Sequence, residues 1–112
     1  MKKLIPTCIF LLLGAFAVYA QSLPSISIVN DTGYTVHYIF VSPAESDEWG
    51  DDVLGDRVLR SGETFTYRLT QPLSRVSVYD IRLIDEDGDD YVKWEEELSA
   101  NARIVFTFDD LW

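Results

Sequence analysis

Residues Tyr79 to Trp94 read Y-D-I-R-L-I-D-E-D-G-D-D-Y-V-K-W. Apolar and polar side chains alternate on both sides of an acid-rich Asp-Gly step, the pattern of two half-buried strands joined by a tight turn. Taking Asp87-Gly88 as a two-residue turn pairs Leu83 with Val92, Ile81 with Trp94 and Tyr79 with Glu96 on an apolar face. The other face then carries Arg82 with Lys93, Asp80 with Glu95 and Ile84 with Tyr91. A one-residue slip would exchange the two faces, so the sorting of side chains argues for a hairpin.

Strand patterns continue on either side of this ribbon. Ile26, Ile28, Val36, Tyr38 and Phe40 alternate with polar neighbours around Asn30-Asp31-Thr32-Gly33. A three-residue loop with Gly33 left-handed would place Ile28 opposite Val36, Ile26 opposite Tyr38, and His37 on the far face near Ser27. Glu63 to Leu69 presents Phe65, Tyr67 and Leu69 to one side after a Ser61-Gly62 turn. Val76 to Ile84, Tyr91 to Leu98 and Arg103 to Phe108 complete six strands. Ser42-Pro43-Ala44-Glu45 has the chemistry of a helix start, and Gly50 that of a stop, which predicts a two-turn helix over Ser42 to Gly50. Trp49, Val53 and Leu54 would anchor it to the sheet. The expected architecture is all-β: an antiparallel β-sandwich of six to seven strands with one short helix.

Residues 1–20 have the order of a secretory signal: Lys2 and Lys3, an apolar run from Ile9 to Val18, and small residues before Gln21. Val18-Tyr19-Ala20 suits cleavage after residue 20, and Ala15-Phe16-Ala17 offers a second site. Cys8 precedes the apolar run instead of closing it, so no lipid anchor is expected. The division is a signal peptide over 1–20 and one domain over 21–112, exported to the periplasm or outside the cell. Loss of Lys2 and Lys3 lowers the formal net charge of −10 by two, to −12. Such a chain repels phosphate backbones and anionic lipid, which excludes nucleic acid as a partner and leaves cations and basic proteins. The mature part holds no cysteine, so its stability rests on packing, with a bound ion as the remaining aid. No second apolar run is long enough for a membrane span, and Ile104, Phe106, Phe108 and Trp112 imitate the last strand of an outer-membrane barrel only until Asp110 breaks the alternation.

The chemistry-bearing residues are few. Asp85, Asp87, Asp89 and Asp90 crowd the hairpin tip, and oxygen-rich loops of this kind suit calcium. Asp85, Asp87 and Asp89 match the first three ligand positions of an EF-hand, and Glu96 the twelfth, but Gly88 comes too early and strands flank the loop. The expected register sends Asp85 and Asp90 to one side of the ribbon and Glu86 and Asp89 to the other. Trp49, Asp51 and Asp52 form a second candidate, either as a binding loop or as paired carboxylates of a small glycan hydrolase. His37 is the single histidine, which with no mature cysteine leaves neither a nucleophile with its base nor a zinc set.

Four segments carry a resemblance: V-N-D-T-G-Y at 29–34, S-P-A-E-S-D-E-W-G-D-D-V-L-G at 42–55, G-E-T-F at 62–65, and Y-D-I-R-L-I-D-E-D-G-D at 79–89. Together they resemble a family of small exported bacterial proteins of unknown function, over residues 26–108. The family has an S-P-x(5)-W-G-x-D-x-L-G segment, and its W-G-D-D-V-L-G part is the most specific. Some such chains bear an argininosuccinate lyase label, an activity of large helical tetramers that does not suit a short strand-forming chain. The resemblance implies two cysteines where Ser77 and Ser99 stand here, so this chain departs from it by lacking that bridge. It implies no catalytic residue. The reading is of an exported, non-enzymatic binding or structural module of the cell envelope, with an unidentified protein or glycan partner and calcium as a stabilising ligand. The alternative is the acid-pair hydrolase.

Overall fold

The structure is a computed structural model that describes residues 23–112. The expected signal segment over 1–20 lies outside the described residues. Six strands follow in order: β1 (Ser25–Asp31), β2 (Val36–Pro43), β3 (Thr64–Arg68), β4 (Val78–Asp85), β5 (Asp90–Glu97) and β6 (Arg103–Thr107). They form two three-stranded sheets, ordered β3-β1-β6 and β2-β4-β5. The all-β sandwich expected from the alternation is therefore present. Its core draws Ile26, Ile28, Phe65 and Phe106 from one sheet, and Ile39, Ile81, Leu83 and Tyr91 from the other. Each fully buried aliphatic or aromatic side chain of this kind contributes about 1.5–3 kcal/mol.

The local connections differ from expectation. Asn30 to Gly33 does not close a hairpin; β1 and β2 lie in different sheets. Ile28 sits opposite Phe65 and Ile104, and Ile26 opposite Tyr67. The cause is the Asn30 side chain, which is fully buried and whose amide nitrogen donates to the carbonyls of Tyr34 and Leu59 at 2.8 Å each. Its oxygen accepts from the main chain and the hydroxyl of Thr32. A buried amide must be satisfied somewhere, and here the partners turn the chain across the sandwich. A β-bulge at His37 then resets the alternation of β2. Val36 and Ile39 point inward, while Tyr38 and Phe40 face out.

The expected helix over Ser42 to Gly50 is absent. Ser42 and Pro43 end β2, and the Ser42 hydroxyl donates to the carbonyl of Glu48 at 2.7 Å, closing an irregular loop that a helix would have opened. The helical element that does form is one 3-10 turn, η1 (Phe108–Asp110), capped by Thr107. It ends β6 one residue short of Phe108, which is left exposed. The sandwich is also not purely antiparallel: β6 runs parallel to β1, the central strand of its sheet.

The β4-β5 ribbon exists; Tyr79 pairs with Glu96 as expected, and from Ile81 to the tip the register lies one residue away from the expected one. Leu83 pairs with Tyr91, Arg82 with Val92 and Ile81 with Lys93. Glu86, Asp87 and Gly88 make a three-residue loop, closed by the Asp85 amide donating to the Asp89 carbonyl at 3.0 Å. Gly88 takes φ 83°, the left-handed residue that such a loop needs at its last position. Between Tyr79 and Ile81 a bulge sets Trp94 and Glu95 against Asp80 alone, and Glu95 adopts φ 51° with its amide donating to the Asp80 carboxylate. Ile81 is buried as expected. Trp94 is instead 50% exposed on the outer face.

Candidate functional site

The outer face of the β2-β4-β5 sheet collects all three tryptophans of the chain. Trp49, from the loop after β2, lies with its ring centroid 6.5 Å from Phe40 and 5.5 Å from Trp94. Trp112 continues the row at 5.9 Å from Trp94, nearly edge-on. The tail reaches this position because Leu111 bridges to Tyr91 and the Trp112 amide donates to the Asp90 carbonyl at 2.8 Å. Thus Leu111 and Trp112 fold back onto the sandwich. Arg82, central on the same face, lies over the rings of Phe40 and Trp49 at 5.8 and 5.7 Å, and its guanidinium is held by Asp90 at 2.8 Å.

Exposure on this face is unusual for the residue type. Trp112 is 77% exposed, Trp94 50% and Tyr38 49%, while no tryptophan belongs to the buried core. Scattered exposed apolar residues need no explanation, but a contiguous aromatic row is a candidate contact surface. Beside Trp49 the row opens into a groove of about 300 Å³, walled by Trp49 and Tyr67 and lined also by Glu48 and Asp51. Burial pushes the Tyr67 phenol above its ordinary pKa.

The hairpin tip is a different arrangement. Asp85, Asp87 and Asp89 each bring one oxygen within 4.8 Å of the others. Asp85 is only 3% exposed and is already engaged. Its Oδ1 accepts from the amides of Asp87 and Asp89, and its Oδ2 from the Tyr91 hydroxyl at 2.9 Å. Burial first, and then the neighbouring Asp85, push the Tyr91 phenol far above its ordinary range. Glu86 is tied to Thr35 through both its carboxylate and its amide. Asp90, expected in the same set, is turned to Arg82 and stays out of the cluster. A side chain that accepts from the loop's own amides holds the turn without an ion.

Asp51 and Asp52 also separate. Asp52 Oδ1 accepts from the amides of Ile39 and Leu54, and Oδ2 from Gly55. This clips the loop to the open side of β2, where the Val53 amide adds a bond to the Ile39 carbonyl. Within W-G-x-D-x-L-G, Trp49 enters the aromatic row, Asp52 makes the clip, Leu54 is buried, and Gly55 takes a left-handed φ of 67°. Asp51 is exposed and lines the groove.

Trp94, Trp112, Phe40 and Arg82 are the site residues the alternation missed. No local signal marks them, because the bulge that turns Trp94 outward is placed by the partner strand.

No family model matches the chain, and no curated protein does. Among solved structures it is similar to an NMR structure of a protein from Eubacterium rectale, with a TM-score of 0.59 and 17% identity, covering 78% of this chain and 79% of that one. At that identity the likeness concerns the fold. No helix among the described residues is long and apolar enough to cross a membrane.

Proposed function

We propose that this chain is an exported, non-enzymatic binding module of the bacterial cell envelope, and that the aromatic face of the β2-β4-β5 sheet is its contact surface. The observation that carries this reading is the placement of every tryptophan on one outer face instead of in the core. A small domain with a thin stability margin gains by burying its largest side chains, and leaving them exposed points to a use for them there. The family resemblance to small exported proteins and the signal-like start support the location. The hydrolase alternative loses its acid pair, because Asp52 is committed to three main-chain amides and Asp51 stands without it. Calcium enters only as a weak ligand of the acidic tip.

The test is binding of the purified 21–112 domain to isolated envelope fractions, protein and glycan separately, beside a variant carrying Trp94→Ala and Trp112→Ala. Both side chains are exposed, so the variant keeps the core. At least tenfold weaker retention of the variant, with no sugar released from the glycan fraction, is expected. Equal retention would remove the aromatic face from the reading, and sugar release abolished by Asp51→Asn would restore the hydrolase.

A further inference from the structure

The aromatic face has a charge pattern that narrows its partner. Among the described residues, two ion pairs form: Arg82 with Asp90, which uses up the base on the tryptophan face, and Lys93 with Asp110, where Lys93 turns to the inner side over Phe106. The carboxylates that remain beside the row form no ion pair: Glu48 and Asp51 on either side of Trp49, Asp80 and Glu95 beside Trp94. Arg75 shares a neighbouring concavity of about 400 Å³ with Glu45 and Glu95, again without pairing. The groove beside Trp49 is the sharpest case, since its lining holds two aromatic rings and two acids and no lysine or arginine. Aromatic faces attract cations through their quadrupole, and nearby carboxylates add a directional, charge-assisted partner. Arg82 already shows the preference from within the chain, lying over Trp49 and Phe40.

We infer that the partner is a basic polypeptide segment, one of whose lysine or arginine side chains enters the groove between Trp49 and Tyr67 toward Glu48 and Asp51, while the flanking chain lies over Trp94 and Trp112. This rests on the aromatic face being the contact surface and names what it contacts. A neutral sugar would use the rings and leave the carboxylates without a counterpart. Sugar platforms also favour coplanar rings, whereas Trp49, Trp94 and Trp112 are inclined at 44° and 71° to one another.

The three tryptophans sit in the proposed site, so their fluorescence reports occupancy directly. The purified domain is titrated with hexalysine, with a neutral chitin oligosaccharide and with hexaglutamate. Hexalysine should give a saturable change that weakens at least tenfold between 20 and 300 mM salt, as exposed charge contacts do. Glu48→Gln with Asp51→Asn should weaken it about tenfold. Asp87→Asn with Asp89→Asn, the same charge change at the hairpin tip, should alter it less than twofold. Equal weakening by both pairs would mean attraction to net charge alone and would overturn the groove. Saturable binding of the oligosaccharide, sensitive to Trp94→Ala with Trp112→Ala, in the absence of hexalysine binding, keeps the aromatic face and sinks the basic partner. A response to none of the three probes, with no retention on envelope fractions, removes both.

Discussion

The Tyr91 hydroxyl donates to Asp85 Oδ2 at 2.9 Å, and both side chains are almost wholly buried. This bond joins the inner face of β5 to the carboxylate that organises the hairpin tip. Replacing Tyr91 with Phe keeps the ring and leaves one oxygen of a buried carboxylate short of a donor, which costs roughly 1–3 kcal/mol. For a domain of this size that lowers Tm by about 4–8 °C for each kcal/mol. Asp85→Ala should cost more, because the amides of Asp87 and Asp89 lose their acceptor as well. Urea denaturation at neutral pH checks both, with a lower midpoint at unchanged slope. A midpoint within experimental error of wild type for Tyr91→Phe would contradict the bond.

The same phenol makes stability sensitive to alkali. Tyr91 is raised far above its ordinary value of 10.0 by burial and by Asp85, and burial raises Tyr67 and Tyr79 in the same direction. Below pH 10 the phenols are protonated in folded and unfolded chains alike, and their contribution is fully present. Above it the unfolded chain releases protons that the folded chain retains, so stability falls as pH rises. For Tyr91 the slope approaches about 1.4 kcal/mol per pH unit. Denaturation curves at pH 9, 10 and 11 should show this decline, and Tyr91→Phe should show a shallower one. Identical slopes for the two proteins would mean that Tyr91 titrates as a free phenol.

What the sequence disclosed of the fold was the inner face of β1, β3, β4 and β6, because alternation is set locally by the pleat. Ile26, Ile28, Phe65, Leu69, Ile81, Leu83 and Phe106 are buried as their spacing requires. Which strands pair was less legible. Asn30-Asp31-Thr32-Gly33 has hairpin chemistry, and bonds to the distant Leu59, from the Asn30 side chain and the Val36 main chain, accompany the turn into the other sheet. The bulges at His37 and at Trp94-Glu95 were hidden for the same reason: each adds one residue to a strand, and the partner strand decides where.

Asp52 illustrates how a candidate catalytic acid becomes a structural one. Its three accepted hydrogen bonds fix the loop that carries Trp49. Asp52→Ala should destabilise by roughly 1–3 kcal/mol, since the amides of Ile39 and Leu54 lose a partly buried acceptor. Asp51→Asn, on an exposed side chain, should stay within about 0.5 kcal/mol of wild type. Thermal melts of the two variants test the contrast, and comparable losses from both would argue that Asp51 shares the clip. The chemistry of this site was partly visible, since Trp49, Asp51 and Asp52 stood out together. Their division of labour was not, because it depends on β2 lying alongside.

Calcium at the hairpin tip is limited by the bonds already formed there. A calcium ion takes six to eight oxygens, and the cluster offers one each from Asp85, Asp87 and Asp89. Asp85 accepts three hydrogen bonds, and Asp90 and Glu86 are held by Arg82 and Thr35. Binding should therefore fall in the weak, millimolar range. Millimolar calcium should then stabilise the domain by less than about 1 kcal/mol, against the about 2.7 kcal/mol expected at 100 times the dissociation constant. Chelator alone should leave Tm unchanged, because the amides of Asp87 and Asp89 and the Tyr91 hydroxyl hold the turn themselves. Melts with chelator, calcium and magnesium, on wild type and on Asp87→Asn with Asp89→Asn, decide the matter. A calcium-specific rise of 10 °C or more, lost in that variant, would show that the tip opens to release Asp85 to the ion.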